Sequence, residues 1–333
     1  MAVSEGTLPM TPLRTGFFLH EAAPLHDTGW GHPEHQGRLP ALAGTIGKDL
    51  LALHGRVEHF EGRTALHEEL LRVHPNSYLD HVEAACAAAG RDGGRVLVGE
   101  ETPVSAASLE AIYGSAGTAL DAGERVCDGL LRNAFVATRP PGHHASAVRA
   151  MGFCVVNHVA VLARHLQATG RAERVAIVDW DVHHGNGTQD IFWSDPTVFF
   201  LSLHQWPHYP GTGAAWETGA GAGSGATLNV PVSAGTAGEG YRSLFDGALA
   251  RVEANFQPDA ILISSGFDAL AGDPLGGLLL EPEDFAEMAR RVQAWADRVC
   301  DGRVVTLLEG GYDPPRTALA AGALLRALAG VPT

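Results

Sequence analysis

Residues Arg174 to Gln189 read RVAIVDWDVHHGNGTQ, an apolar run from Val175 to Val178 that stops abruptly in a cluster of Asp, His and Gly. A strand apolar at every position, rather than at alternate ones, is buried on both faces and belongs to a parallel sheet covered by helices on each side. Similar runs occupy Thr15 to His20, Asn133 to Thr138, Thr197 to Leu203, Asp259 to Ser265 and Arg303 to Leu308. Between and after them come amphipathic stretches, Val156 to Ala168, Tyr241 to Phe256, Pro282 to Cys300 and Arg316 to Ala329. The expected fold is a single three-layer α/β domain over residues 1–333, with a mainly parallel central sheet and helices on both faces. The Gly/Ala-rich stretch from Gly211 to Gly225 reads as a long loop, not a linker.

In open parallel sheets the ligand crevice lies at the carboxyl ends of the strands. Five of the six runs end in concentrated polar or Gly-rich sequence: RPPGHHA (139–145), DWDVHHGNGTQ (179–189), HQWPHYPGTG (204–213), SSGFD (264–268) and EGGY (309–312). In an extended chain Asp179, Asp181 and His183 share one side and His184 takes the other. Asp181 and His183 thus supply two ligands of the kind zinc prefers, and Asp268, at another strand end, supplies a third. Three protein ligands leave the open position of a catalytic zinc site. Asp268 is followed two residues later by Leu270, so the Asp-x-Asp pair of a two-manganese site is missing and one catalytic metal is expected.

His143 and His144 follow two prolines and a glycine and can reach one water at such a metal. Asp179 and Asn186 are candidate partners for their rings. An Asn partner orients an imidazole without adding negative charge, so the two histidines should differ in basicity, which suits proton transfer in both directions. Tyr312, after two glycines, is placed to donate its hydroxyl to a developing oxyanion. The chemistry implied is hydrolysis of an amide by a metal-activated water.

The net charge of −15 disfavours nucleic acid and anionic lipid and favours a cationic substrate. Four cysteines, Cys86, Cys127, Cys154 and Cys300, lack CxxC spacing, so neither a disulfide framework nor a cysteine metal site is expected. No apolar stretch is long enough to span a membrane, and the first residues lack the pattern of a signal peptide, so a cytoplasmic location is expected.

These motifs, with HPEHQGR (32–38), GFCVVNHVAV (152–161), VFFLSLH (198–204), SSGFDALAGDPLGG (264–277) and LLEGGY (307–312), closely resemble the histone deacetylase family. The likeness is greatest to its class II members and to bacterial histone deacetylase-like amidohydrolases; Asn186 stands where class I members have Asp. The resemblance implies zinc on Asp181, His183 and Asp268, paired histidines at His143 and His144, and a catalytic tyrosine at Tyr312. It also implies a tunnel for an acyl-lysine side chain between Phe153 and Tyr209, with Gly152 beside it, although the family's usual phenylalanine is replaced at Tyr209. Arg38 matches an inner-channel arginine, and Glu101 a rim acid that meets substrate backbone amides. A structural potassium ion is implied on Asp179, Asp181, His183, Ser202 and Leu203, mostly through main-chain oxygens. Three activities fit: an acyl-lysine deacetylase, an acetylpolyamine amidohydrolase and a silent acyl-lysine binder. Leu275 stands where polyamine-selective class II relatives carry glutamate, which favours acyl-lysine. The unsubstituted catalytic positions disfavour the silent binder.

Overall fold

A computed structural model describes residues 14–332. Its strands are β1 (Thr15–Leu19), β2 (Val57–Glu61), β3 (Val96–Gly99), β4 (Thr102–Val104), β5 (Asn133–Val136), β6 (Val175–Asp179), β7 (Val198–Gln205), β8 (Thr227–Val232), β9 (Ala260–Ser265) and β10 (Val304–Leu308). The helices are α1 (Arg38–Leu53), α2 (His67–Leu70), α3 (Asn76–Asp92), α4 (Ser108–Cys127), α5 (His158–Ala168), α6 (Asn186–Phe192), α7 (Gly238–Asn255), α8 (Pro282–Val299) and α9 (Pro314–Leu328). Eight strands form one sheet in the order β2-β1-β5-β10-β9-β6-β7-β8, and every neighbouring pair is parallel. The single α/β domain read from the sequence is the architecture observed.

The unbroken apolar strands are explained by what lies on each side of them. In β6, Ala176 and Val178 pack in a core with residues of α1, α7, α8 and α9, while Val175 and Ile177 pack in a second core with residues of α3, α4, α5 and α6. β9 divides the same way, with Ile261 and Ile263 in the first core and Leu262 in the second. Full burial of one such side chain stabilises the fold by roughly 1.5–3 kcal/mol.

Two strands of the sheet, β2 and β8, escaped the sequence reading. Both are edge strands. β2 (VEHFE) is only partly covered, and β8 carries Pro231, a residue that edge positions tolerate because one side of the strand needs no donors. An edge strand need not be apolar throughout, so the signal that marks the central strands is absent. β3 and β4 form a separate antiparallel pair whose tight connection holds Glu101 at φ 53°. No helix among the described residues is long and apolar enough to cross a membrane.

The order of the sheet assembles the site. The five strands with unusual carboxyl ends, β5, β10, β9, β6 and β7, are consecutive neighbours. Motifs that span residues 139 to 312 in the chain therefore open side by side at the carboxyl end of the sheet.

Candidate active site

β6 ends at Asp179, and Asp181 to His183 lie in a bend and not in continued strand. The alternation expected of an extended chain stops there, and the bend itself turns the side chains together. Asp181 accepts hydrogen bonds on Oδ1 from the His183 N–H (2.9 Å) and on Oδ2 from the Gly310 N–H (2.9 Å). Asp268 accepts on Oδ1 from the Val182 N–H (2.9 Å). Nδ1 of His183 then faces Asp181 Oδ1 at 3.0 Å and Asp268 Oδ2 at 3.2 Å. One ligand atom from each of the three residues lies within 4.8 Å of the others, and all three residues are buried.

This trio fits a divalent cation on three counts. Asp268 Oδ2 is buried, and although His183 Nδ1 lies 3.2 Å away no donor is aligned to hydrogen-bond it. Burial works against a charge on His183, yet its contacts with Asp181 and Asp268 outweigh burial and lift it to about 10, so a protonated ring offsets one of two carboxylate charges at the place suited to a metal. Close quarters are kept by glycine: a Cβ at Gly266 would lie 1.9 Å from Asp181 Oδ2, and one at Gly310 would lie 2.1 Å from Asp268 Oδ2. Two carboxylates and an imidazole are a ligand set that zinc accepts.

Beside the trio, the rings of His143 and His144 lie 4.1 Å apart. Nδ1 of His143 meets Asp179 Oδ2 at 3.0 Å, and Nδ1 of His144 meets Asn186 Oδ1 at 2.8 Å. Their environments push them in opposite directions. Burial opposes a charge on His143, but Asp181 and Asp179 overcome it and raise it well above an ordinary histidine. Burial, with the neighbouring His143 and His183, lowers His144 well below that value. An amide oxygen only accepts, so the His144 proton sits on Nδ1 and Nε2 keeps its lone pair.

A pocket of about 190 Å³ opens onto this cluster, lined by Glu101, His144, Gly152, Phe153, His183, His208, Tyr209, Leu275 and Tyr312. Phe153 meets the Tyr312 ring edge-on at 5.8 Å, and Tyr209 meets His144 edge-on at 5.3 Å. Gly152 sits at φ 54°, and a Cβ there would stand 2.4 Å from the His144 ring, so glycine is required by both backbone and space. Glu101 is exposed at the margin. Tyr312 is raised well above an ordinary tyrosine, by burial first and by Asp268 next, so its hydroxyl keeps its proton at neutral pH.

Residues 32–328 match the histone deacetylase domain. The chain belongs to the histone deacetylase family. It is 38% identical over 298 residues to a probable deacetylase of Archaeoglobus fulgidus, covering 90% of this chain and 81% of that one. It is 35% identical over 339 residues to the histone deacetylase-like amidohydrolase of Pseudomonas aeruginosa, covering 96% and 87%. A crystal structure of the HDA15 HD domain superposes with a TM-score of 0.88 at 35% identity, covering 96% of this chain and 89% of that one.

In this deacetylase-family chain, other assigned residues stand away from the pocket wall. Arg38 is buried, and its guanidinium is engaged on three sides: Nε donates to the Gly311 carbonyl (2.7 Å), Nη2 to the Glu309 carbonyl (2.6 Å) and Nη1 to Glu34 (2.9 Å), with the Tyr312 ring centroid 5.1 Å away. Asp179 and Ser202 are register partners across β6 and β7, and the Leu203 carbonyl accepts the Tyr241 hydroxyl at 3.1 Å.

Several residues of the site went unassigned in the sequence. Glu34 pairs with both Arg38 and Arg139 in the interior. Glu309 accepts from the N–H groups of Gly142 (2.6 Å) and His143 (3.1 Å) and from the Ser264 hydroxyl (3.0 Å). Asp273 accepts from the N–H of Tyr312. His208 stacks on His183 at 5.0 Å and donates from Nε2 to the Leu275 carbonyl at 2.9 Å. Glu34, Asp273 and Glu309 lie inside the motifs HPE, GDPLGG and EGGY, which was their one signal. His143, Cys154 and Glu309 also bring ligand atoms within 4.8 Å of one another, but both Glu309 oxygens and the His143 Nδ1 are already engaged.

Proposed function

We propose that this chain is a zinc-dependent amide hydrolase that removes acetyl or other short acyl groups from acyl-lysine side chains. The observation that carries the reading is the opposed pair, His143 held by Asp179 and His144 held by Asn186, beside the Asp181, His183 and Asp268 trio at the base of one pocket. Zinc on that trio would supply Lewis acidity, polarising a carbonyl and acidifying a water towards a pKa of about 7. The neutral Nε2 of His144 takes the proton of the attacking water as the new C–O bond forms, and returns it to the amine nitrogen as the C–N bond breaks. His143, kept cationic by Asp179, offsets the negative charge that accumulates. Tyr312 donates its hydroxyl to the carbonyl oxygen as that oxygen becomes an oxyanion. Phe153 and Tyr209 flank the methylene stem of the lysine, and Glu101 at the margin accepts from substrate backbone amides.

A structural potassium ion on main-chain oxygens of Asp179, Asp181, His183, Ser202 and Leu203 belongs to the same reading; it is supported by the pairing of Asp179 with Ser202 across β6 and β7. The four cysteines are free, which suits a reducing cytoplasm.

The deciding experiment compares turnover of an acetyl-lysine peptide with that of acetylputrescine and acetylspermidine by the zinc-loaded chain. We expect the peptide to be cleaved faster, because Leu275 puts an apolar side chain where a polyamine ammonium would need a carboxylate. Faster polyamine cleavage would instead make the chain an acetylpolyamine amidohydrolase, and binding of the peptide without cleavage would make it a silent reader.

A further inference from the structure

Tyr312 lies in the connection between the end of β10 at Leu308 and the start of α9 at Pro314. Gly310 and Gly311 precede it, and Gly311 adopts φ 121°, so this backbone has little stiffness of its own. Its placement is imposed from outside. Asp273, 5% exposed, accepts the Tyr312 N–H on Oδ2 at 2.7 Å and the Leu275 N–H on Oδ1 at 2.9 Å. One carboxylate therefore grips two separate parts of the pocket wall. The grip extends further: the Leu275 carbonyl accepts from His208, whose ring stacks on His183.

We propose that Asp273 is a positioning residue that sets Tyr312 and Leu275 jointly, so that the hydroxyl donor and the wall that selects the substrate keep one fixed relation. The proposal rests on the deacylase reading only in the use made of Tyr312. An ionised carboxylate offers acceptors on both oxygens, whereas an amide offers one acceptor and one donor. In Asp273→Asn an N–H would face an N–H; the contact with Leu275 spans two residues and that with Tyr312 spans 39, so the distant Tyr312 N–H is the one released. A displacement near 1 Å at a reacting group costs up to about 100-fold in rate.

Two readouts test this on the full chain. The first labels its five tyrosines with 3-fluorotyrosine and assigns the Tyr312 fluorine resonance by its loss in Tyr312→Phe. In Asp273→Asn that resonance should shift or broaden while those of Tyr78, Tyr113 and Tyr241 hold, and an unmoved Tyr312 resonance overturns the proposal. The second is kinetic, on an acetyl-lysine peptide. Asp273→Asn should lower kcat about tenfold or more with KM within about twofold, yet lower kcat less than about twofold in a Tyr312→Phe background. An equal loss in both backgrounds would mean that Asp273 supports the fold and does not act through Tyr312. If the wild type cleaves no acetylated lysine or polyamine, the deacylase reading fails, and the fluorine spectrum alone decides on Asp273. Should Asn disturb the other three resonances, Asp273→Ser carries the same two measurements.

Discussion

Replacing Asn186 by Asp tests the division of labour between the two histidines. Asn186 Oδ1 lies 2.8 Å from Nδ1 of His144, so an Asp side chain puts a carboxylate beside a ring that now has only an amide for a partner. With charge centres about 4 Å apart and an effective dielectric constant near 20, the attraction of that carboxylate for a charged imidazole is about 4 kcal/mol, or about 3 pKa units. Asn186 is 5% exposed, so the new carboxylate also loses much of its hydration, and the net rise is about 1–2 units. The sign follows from the role. His144 must be neutral to accept a proton, and wild-type burial with the charge of His143 beside it keeps it so. A raised value delays neutrality to higher pH, so the acidic limb of kcat/KM against pH moves up by about 1–2 units, with the plateau rate kept within about threefold. The assay is a pH series on an acetyl-lysine peptide, with zinc content measured alongside. An acidic limb that does not move in a variant holding full zinc would refute the assignment of His144 as the group whose neutrality controls turnover.

Tyr312→Phe should keep zinc and lose about 100- to 1000-fold in kcat, the range for removal of one oxyanion donor; near-normal turnover would remove the tyrosine from the reaction. Asp268→Ala should abolish zinc binding as measured by elemental analysis, and full occupancy in that variant would mean that another residue is the third ligand. Glu34→Gln should cost about 3–5 kcal/mol in urea unfolding, because it leaves Arg38 and Arg139 buried without their shared carboxylate. Burial raises Glu34, but Arg139 and Arg38 outweigh it and hold the carboxyl below its ordinary 4.5. The ion cluster therefore stabilises the wild type above pH about 4.5 and loses its contribution as pH falls through the depressed folded value; that acid-side decline should flatten in Glu34→Gln, and parallel pH–stability curves would contradict the coupling.

The parts of this protein that could be read from its sequence share one property: the physics acts along the chain. Val175 to Val178 announce a central strand because both faces need apolar cover, whereas β2 and β8, at the two edges, have no such need and leave no comparable mark. Asp181, His183, His143, His144, Asp268 and Tyr312 stood out because their functional groups belong to motifs at strand ends, and the order β5-β10-β9-β6-β7 brings those ends together. Asp273, Glu309 and Glu34 act across the fold. Asp273 reaches 39 residues to the Tyr312 N–H, and Glu309 reaches 167 to that of Gly142. Almost every residue has a backbone N–H, so a carboxylate that grips one has no preferred partner type and sets no spacing rule; only coordinates reveal it. The same holds for the contacts of Arg38. Its three nitrogens are bound by Glu34 and by the carbonyls of Glu309 and Gly311, two residues of the motif that carries Tyr312. Arg38 and Asp273 therefore hold the same connection from opposite polarities, the cation on its carbonyls and the anion on its N–H.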